Sequence, residues 1–299
     1  MKRNFRKISG LVLLAACSHA LADADDTPWT IDMDVAGIHD SNVSRAERER
    51  DIVNDSSVVA NVGLAWSHQL GYKSAMTLRG FVEAERFGEI HPLNRDTAGL
   101  QAIYRFQTRL GYTAPVYQLS ISGQSDDYGV HQRNSDVVNV QAFATKRITD
   151  RITLTYGMDA QQRESNGQVF DTRQIRGFAN ADYAWNQDLS TYAAYSYIDG
   201  DTLSSAQFSF CNGTGASDIF GLIKASDAVE FDEALNDTFC GNWLAYRLKA
   251  KTQTGTLGIN RAINHSLSLD ASVQHIDVLA EGDNHYKRML VRAGILARF

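Results

Sequence analysis

Apolar and polar residues alternate with a period of two along most of the chain from Trp29 onward. The last sixteen residues show it most clearly. Met289, Val291, Ala293, Ile295, Ala297 and Phe299 occupy one set of alternate positions, and Arg288, Leu290, Arg292, Gly294, Leu296 and Arg298 the other. A period of two puts the sets on opposite faces of a strand, one wholly apolar and one carrying three guanidinium groups. Similar segments recur back to Trp29–His39, where Ile31, Met33 and Val35 oppose Asp32 and Asp34.

Twelve such strands are expected, joined alternately by short turns near Leu70, Arg109, Thr149, Gln187 and Asn264 and by longer, more polar connections. The longest connection runs from Gly200 to Asn242. In the tenth strand, which begins at Trp243, the alternation blurs across Lys251–Thr256, so a bulge is expected there. No repeat beyond this hairpin rhythm is evident. The fold expected is a single closed antiparallel transmembrane β-barrel, since an even strand number with short turns at one end and long loops at the other is the pattern of bacterial barrels. Aromatic residues are expected in two girdles, with Trp29, Trp66, Tyr72, Phe106, Tyr117, Trp185 and Phe299 at the short-turn end. Phe87, Tyr128, Phe170, Tyr197, Trp243 and Tyr286 would form the other.

The terminal strand ending on Phe299 resembles the C-terminal strand of Gram-negative outer-membrane β-barrels. That resemblance implies recognition of Phe299 by the barrel assembly machinery and a home in outer-membrane lipid. Ile38-His39-Asp40-Ser41-Asn42-Val43 loosely resembles the opening of some proteobacterial barrels, including the barrel portion of surface-lipoprotein assembly modifiers. The helical-repeat domain of that family is absent from this sequence, so its export role does not carry over. The strand number and arginine-rich inner face are similar to those of twelve-stranded porins for acidic oligosaccharides.

Residues 1–22 read as a secretory signal peptide: basic Met1–Lys7, apolar Ile8–Ala16, then His19-Ala20-Leu21-Ala22 with cleavage before Asp23. Leu14-Ala15-Ala16-Cys17 also fits a lipoprotein cleavage box, but a lipid anchor is redundant for a barrel. Residues 23–299 form the barrel. Losing the segment removes four of the 29 basic residues and none of the 35 acidic ones, so the mature chain is more acidic still. That balance argues against a nucleic-acid partner.

Parity puts Arg79, Arg105, Arg147, Arg151, Arg163, Arg176, Arg247, Lys249, Lys251, Arg288, Arg292 and Arg298 on the inner face. The acids assigned there are fewer: Asp32, Asp34, Glu83, Glu85, Asp159, Asp182 and Asp270. Of the bases, Arg79, Arg105, Arg176, Arg247, Lys249, Arg288 and Arg292 are the candidates to line a pore. Charges cannot face lipid cheaply, so their inward placement is forced, whereas their function is not. They are either a structural ion-pair network or the wall of a pore whose basic excess draws anions. Cys211 and Cys240, the cysteines left after signal removal, are expected to form a disulfide in an oxidising compartment. The Gly200–Asn242 connection they would cinch carries seven acids against Lys224 and could act as an inward gate or as an exterior lid or partner site.

No His-x-Ser pair, HExxH, GxSxG, phosphate loop or CxxC is present. No enzyme, cofactor or metal is therefore expected; His39, His91, His131 and His285 near the outer rim read as solvated side chains. A porin-like channel for small polar, possibly anionic, solutes leads. A non-catalytic platform that binds partners or serves envelope assembly through its loops is the alternative.

Overall fold

The computed structural model describes residues 28–299, so the signal segment lies outside the described residues. Twelve long antiparallel strands close into one barrel. They are β1 (Trp29–Asp40), β2 (Asp55–Gly71), β3 (Ser74–Phe87), β4 (Arg95–Gln107), β5 (Val116–Tyr128), β6 (Ser135–Arg147), β7 (Ile152–Ser165), β8 (Thr172–Ala184), β9 (Leu189–Ser209), β11 (Asn242–Ala262), β12 (Leu267–Ala280) and β13 (Asn284–Arg298). A short strand, β10 (Ala228–Phe231), and two short helices, α1 (Phe220–Ala225) and α2 (Glu233–Thr238), lie between β9 and β11. Each long strand pairs with the next, and β13 returns to β1, so the sheet has no open edge. In hydrocarbon that closure is obligatory, because unpaired backbone groups there find no water.

The alternation explains the two surfaces. Leu100 is 73% exposed and Leu257 68%, and they belong to a continuous outward apolar band with Val35, Leu64, Ile121, Val140, Met158, Ile175 and Val291. So large an exposed apolar surface is stable only against lipid. At the short-turn end the band meets Trp29, Tyr72, Trp185 and Phe299, all exposed, and the half-buried Trp66. At the other end it stops at exposed charges, among them the Arg86–Asp96 and Lys287–Asp277 pairs.

The second aromatic girdle does not form. Phe170, Trp243 and Tyr286 are buried, and Tyr128 lies under the Arg95 guanidinium. These rings pack among the loops, and only Tyr197 of that set is both exposed and in line with the lipid-facing residues of its strand. The bulge expected across Lys251–Thr256 is also absent. β9 and β11 pair without interruption from Leu189/Arg261 to Gln207/Trp243, and the register shifts only between Asn242 and Trp243.

The longest connection is largely ordered structure. β9 and β11 run 21 residues each, well beyond their neighbours. β12 leaves β11 at Ala250↔Ala280, and above that point β10 takes over the vacated edge, Ala228 opposite Arg247. The Cys211–Cys240 disulfide then closes the neck of the segment that carries α1, β10 and α2.

A local repeat is present in the remaining long loops, contrary to the sequence expectation. Gly88–Asn94, Gly129–Asn134 and Gly167–Asp171 each hold a short 3-10 turn followed by Asn or Asp. That side chain accepts a backbone N–H from the end of the preceding strand: Phe87 (2.7 Å), Tyr128 (2.7 Å) and Ser165 (2.6 Å). The first loop donates to the start of β2, through Gly88 N–H to Ser56 O (2.8 Å), and each later one donates to the loop before it, through Gly129 N–H to Asn94 O (2.9 Å) and Gly167 N–H to Gln132 O (2.8 Å). The loops form a stacked collar that satisfies its own backbone.

Candidate functional site

The inner face of the barrel is held by ion pairs between strands that are neighbours or one strand apart. Asp159 and Arg176 are direct cross-strand partners, 2.7 Å apart. Arg292 reaches Asp34 on β1 (2.5 Å) and Asp270 on β12 (3.1 Å). Arg288 pairs with Asp40, Arg163 with Asp126, and Arg95 with Glu83 and Glu85 (3.0 and 2.8 Å). Arg79 crosses β2 to hold Asp32 through Nε (3.0 Å) and Nη2 (2.5 Å) and also donates to Asn61. Gly63 makes that crossing possible, because a Cβ there would lie 2.5 Å from Arg79 Nη2. Gly258 serves Tyr192 in the same way as its hydroxyl reaches Asp270 across β11. These pairs therefore run along the wall. None of them spans the lumen.

The candidate pore residues separate into three groups. Arg79, Arg176, Arg288 and Arg292 lie on the inner face, each paired with acid. Arg105 lies there too, with no acidic partner and with its Nε buried and unbonded. Arg247 and Lys249 lie above Ala250 instead, on the extension of β9 and β11. Uninterrupted register carries the outward parity of Leu257 and Ile259 up to them and to Lys251. Arg247 donates to the carbonyls of Gln168 and Asp171 (2.8 Å each), and Lys249 pairs with Asp201.

That extension stands across the barrel mouth. Ser204 and Thr202 meet Asn284 and Tyr286 of the β12–β13 hairpin, and Leu244, Tyr246 and Leu248 pack with Ile219 and Leu222 around α1. On the other face, Ala245 packs with Val169 and Phe170 of the β7–β8 loop. Trp243 reaches Ile90, Leu93 and Val130 of the β3–β4 and β5–β6 loops. The β3–β4 hairpin is diametrically opposite β9–β11 in the ring of strands. The hairpin thus closes the mouth as a lid. Its bend falls at Gly200 (φ +152°), where a Cβ would lie 2.2 Å from the Arg173 carbonyl.

A buried carboxylate fastens the lid, and parity arguments did not identify it. Asp232 is fully buried; it takes two hydrogen bonds from Arg133 (2.8 and 3.0 Å) and one from Ser205 (2.7 Å), and it caps α2. Asp51 accepts the Gln207 N–H on its Oδ1 while its Oδ2 has no partner. Burial raises the Asp51 carboxyl above its ordinary value, against the opposing effects of that N–H and of Arg50. Arg45 holds a left-handed conformation (φ +55°), its turn clamped by Asn42, which bonds both N–H and C=O of Ala46. Burial first, then the charge of Arg288, lowers the Arg45 guanidinium from its usual range.

Among the described residues no group of three His, Cys, Asp or Glu is placed to hold a metal ion. No family model matches the chain, and no curated protein matches it by sequence. Among solved structures, the COG4313 outer membrane channel from Pseudomonas putida F1 superposes with a TM-score of 0.60 at 14% identity, covering 96% of this chain and 100% of that one. The KdgM porin in complex with disordered oligogalacturonate gives 0.43 at 9% identity, with 90% and 99% covered. The NanC porin gives 0.43 at 8% identity, with 88% and 98% covered. The first likeness is one of fold: a closed antiparallel β-barrel.

Proposed function

We propose that this chain is a porin-like outer-membrane channel for small polar solutes, with a preference for anions, closed at its outer mouth by the β9–β11 lid. The short-turn end faces the periplasm and the lid the exterior. The observation that carries the reading is the course of the inner-face ion pairs along the wall. They neutralise the charges that alternation forces inward while leaving the axis of a twelve-stranded barrel to water. The two sequence-level readings of the arginines are then compatible: one network is both structural and the lining of a pore.

A loop-borne platform is less well supported, because the apolar loop residues Ile90, Leu93, Val130 and Trp243 are spent on one another. The test is conductance in planar bilayers. Purified wild-type protein should show brief or small openings, and a chain with residues 201–249 replaced by a short turn should conduct steadily. If the shortened, correctly folded barrel carries no current, the channel reading is wrong.

A further inference from the structure

The lipid-facing wall is not uniform. Where β6 to β9 approach the lid, a hollow of about 600 Å3 opens on it. Its floor is apolar, and its origin is local. Ala160 of β7 lies directly between Val140 of β6 and Ile175 of β8 in the cross-strand register, so one methyl group stands between two branched side chains. All three face outward, Ile175 with 63% of its surface exposed. A small residue between larger neighbours makes the depression.

The rim of the hollow is charged. Asp136 and Glu164 are direct cross-strand partners on its lid side, and Glu164 accepts a hydrogen bond from Gln162 (2.7 Å). Arg173 stands opposite Gln162, and Asp199 opposite Ile175. All four charged side chains are exposed on the outer face and line the same space. Arg173 gives its backbone N–H to Asp201 (2.7 Å), but its guanidinium has no carboxylate partner among the described residues.

A hollow with an apolar floor and a few placed polar groups is the usual form of a small-molecule site. Here the surrounding solvent is lipid, so its occupant is an amphiphile whose tail lies on the floor and whose headgroup reaches the rim. A phosphate accepts two parallel N–H bonds from Arg173. Like charges directly opposite each other in a sheet repel, and an ammonium over Asp136 and Glu164 relieves that repulsion. A headgroup with phosphate alone would answer Arg173 but meet three acids. Charge complementarity therefore selects a zwitterion.

We infer that the hollow binds one lipid bearing a phosphoethanolamine headgroup, with its acyl chain over Ala160, its phosphate on Arg173 and its ammonium toward Asp136 and Glu164. This binding requires neither conductance through the barrel nor movement of the lid.

Native mass spectrometry of the detergent-solubilised protein, titrated with phosphatidylethanolamine and separately with phosphatidylglycerol of the same acyl chains, tests the site. One phosphatidylethanolamine per barrel should bind at least about tenfold more tightly than phosphatidylglycerol, the scale of one charge-assisted contact. Arg173→Gln should weaken that adduct by about the same factor. Glu164→Gln should narrow the preference between the two lipids, because it removes an acceptor for the amine and a repulsion for the anion. Ala160→Phe fills the hollow without changing any charge and should abolish the tight adduct. Arg86→Gln, elsewhere on the outer face, should leave it unchanged, and heat-modifiable migration on gels checks that each variant is a folded barrel. Equal affinity of the wild type for the two lipids overturns the site. So does a tight adduct that survives both Arg173→Gln and Ala160→Phe, or one that Arg86→Gln weakens equally.

Discussion

The carboxylate of Asp232, at the start of α2, is buried beneath the lid and held from across the barrel mouth by Arg133 of the β5–β6 loop through two hydrogen bonds of 2.8 and 3.0 Å. Arg133 also lies over the Phe170 ring, 4.3 Å from its centroid, so one residue joins the lid to two collar loops. Removing one member of a buried pair strands the other and costs about 3–5 kcal/mol. Asp232→Asn and Arg133→Ala should each raise the open fraction of single channels. The double variant should be less than additive, because the stranded charge is gone. Additive effects would show that the pair does not latch the lid.

The hinge gives a second expectation. Gly200 has φ +152°, a region that side chains rarely enter, and a Cβ there would lie 2.2 Å from the Arg173 carbonyl oxygen. Gly200→Ala should displace the lid at a cost of about 1–3 kcal/mol in backbone strain while the barrel below still assembles. Heat-modifiable migration on gels should persist, and protease sites in residues 201–249 should become accessible. Loss of the folded barrel itself would place the role of Gly200 in assembly.

The difference between barrel and lid also explains what could be read from the sequence. Alternation reports two environments, and between β1 and β8 the outer face meets lipid while the inner face meets water and ion pairs. Val138 and Val140 against Asn139 and Gln141 is such a contrast. In the extension of β9 and β11 both faces are buried, with Ser204 against the β12–β13 hairpin and Ser205 against Asp232. With no contrast between faces, the strand continuation from Gly200 to Ser209 reads as loop. Parity likewise gave a face for Arg79 but no partner, since Asp32 lies two strands away over a glycine. Arg247 and Lys249 read as lumenal because a bulge was expected at Lys251–Thr256, and the continuous register places them on the lid.

The Cys211–Cys240 bridge should matter to the lid and not to the barrel. It spans a sequence separation of 29 residues, for which constraint of the unfolded loop is worth about 3–4 kcal/mol. Both cysteines flank the neck of the segment carrying α1, β10 and α2, so reduction frees that segment locally. Thiol labelling of denatured, unreduced protein should find neither cysteine. A Cys211→Ser/Cys240→Ser chain should reach the membrane at normal levels but conduct more, and a drop in barrel levels instead would tie the bridge to assembly.

Acidification should tighten the lid at one identifiable point. The Asp51 carboxyl is raised above 3.8 by burial, so the closed state favours its protonated form. Its contribution is present in full below the ordinary carboxylate value and is lost as pH rises through the raised one. Asp51→Asn mimics the protonated form and relieves a buried charge whose Oδ2 has no partner, an effect of about 1 kcal/mol. At neutral pH the variant should therefore open less often than wild type, and the difference should vanish on acidification. A difference that is constant with pH would mean that Asp51 does not titrate as the lid moves.

The last residue closes the barrel as well as ending it. Phe299 N–H donates to Ile31 O (2.9 Å) and Ile31 N–H to Phe299 O (2.8 Å), so the terminal backbone completes the β13–β1 seam. Deleting Phe299 removes both bonds, each worth about 1 kcal/mol net, together with the exposed ring at the membrane boundary. Phe299→Ala keeps the backbone pair and removes only the ring. If assembly machinery reads the aromatic side chain, Phe299→Ala should lower outer-membrane levels nearly as far as the deletion does. Barrels that do assemble should then unfold in urea at almost the wild-type midpoint. If the seam is what matters, the substitution should be mild in the cell, and the deletion alone should shift the unfolding midpoint. Quantitative membrane blots beside urea titrations of both variants separate recognition from closure.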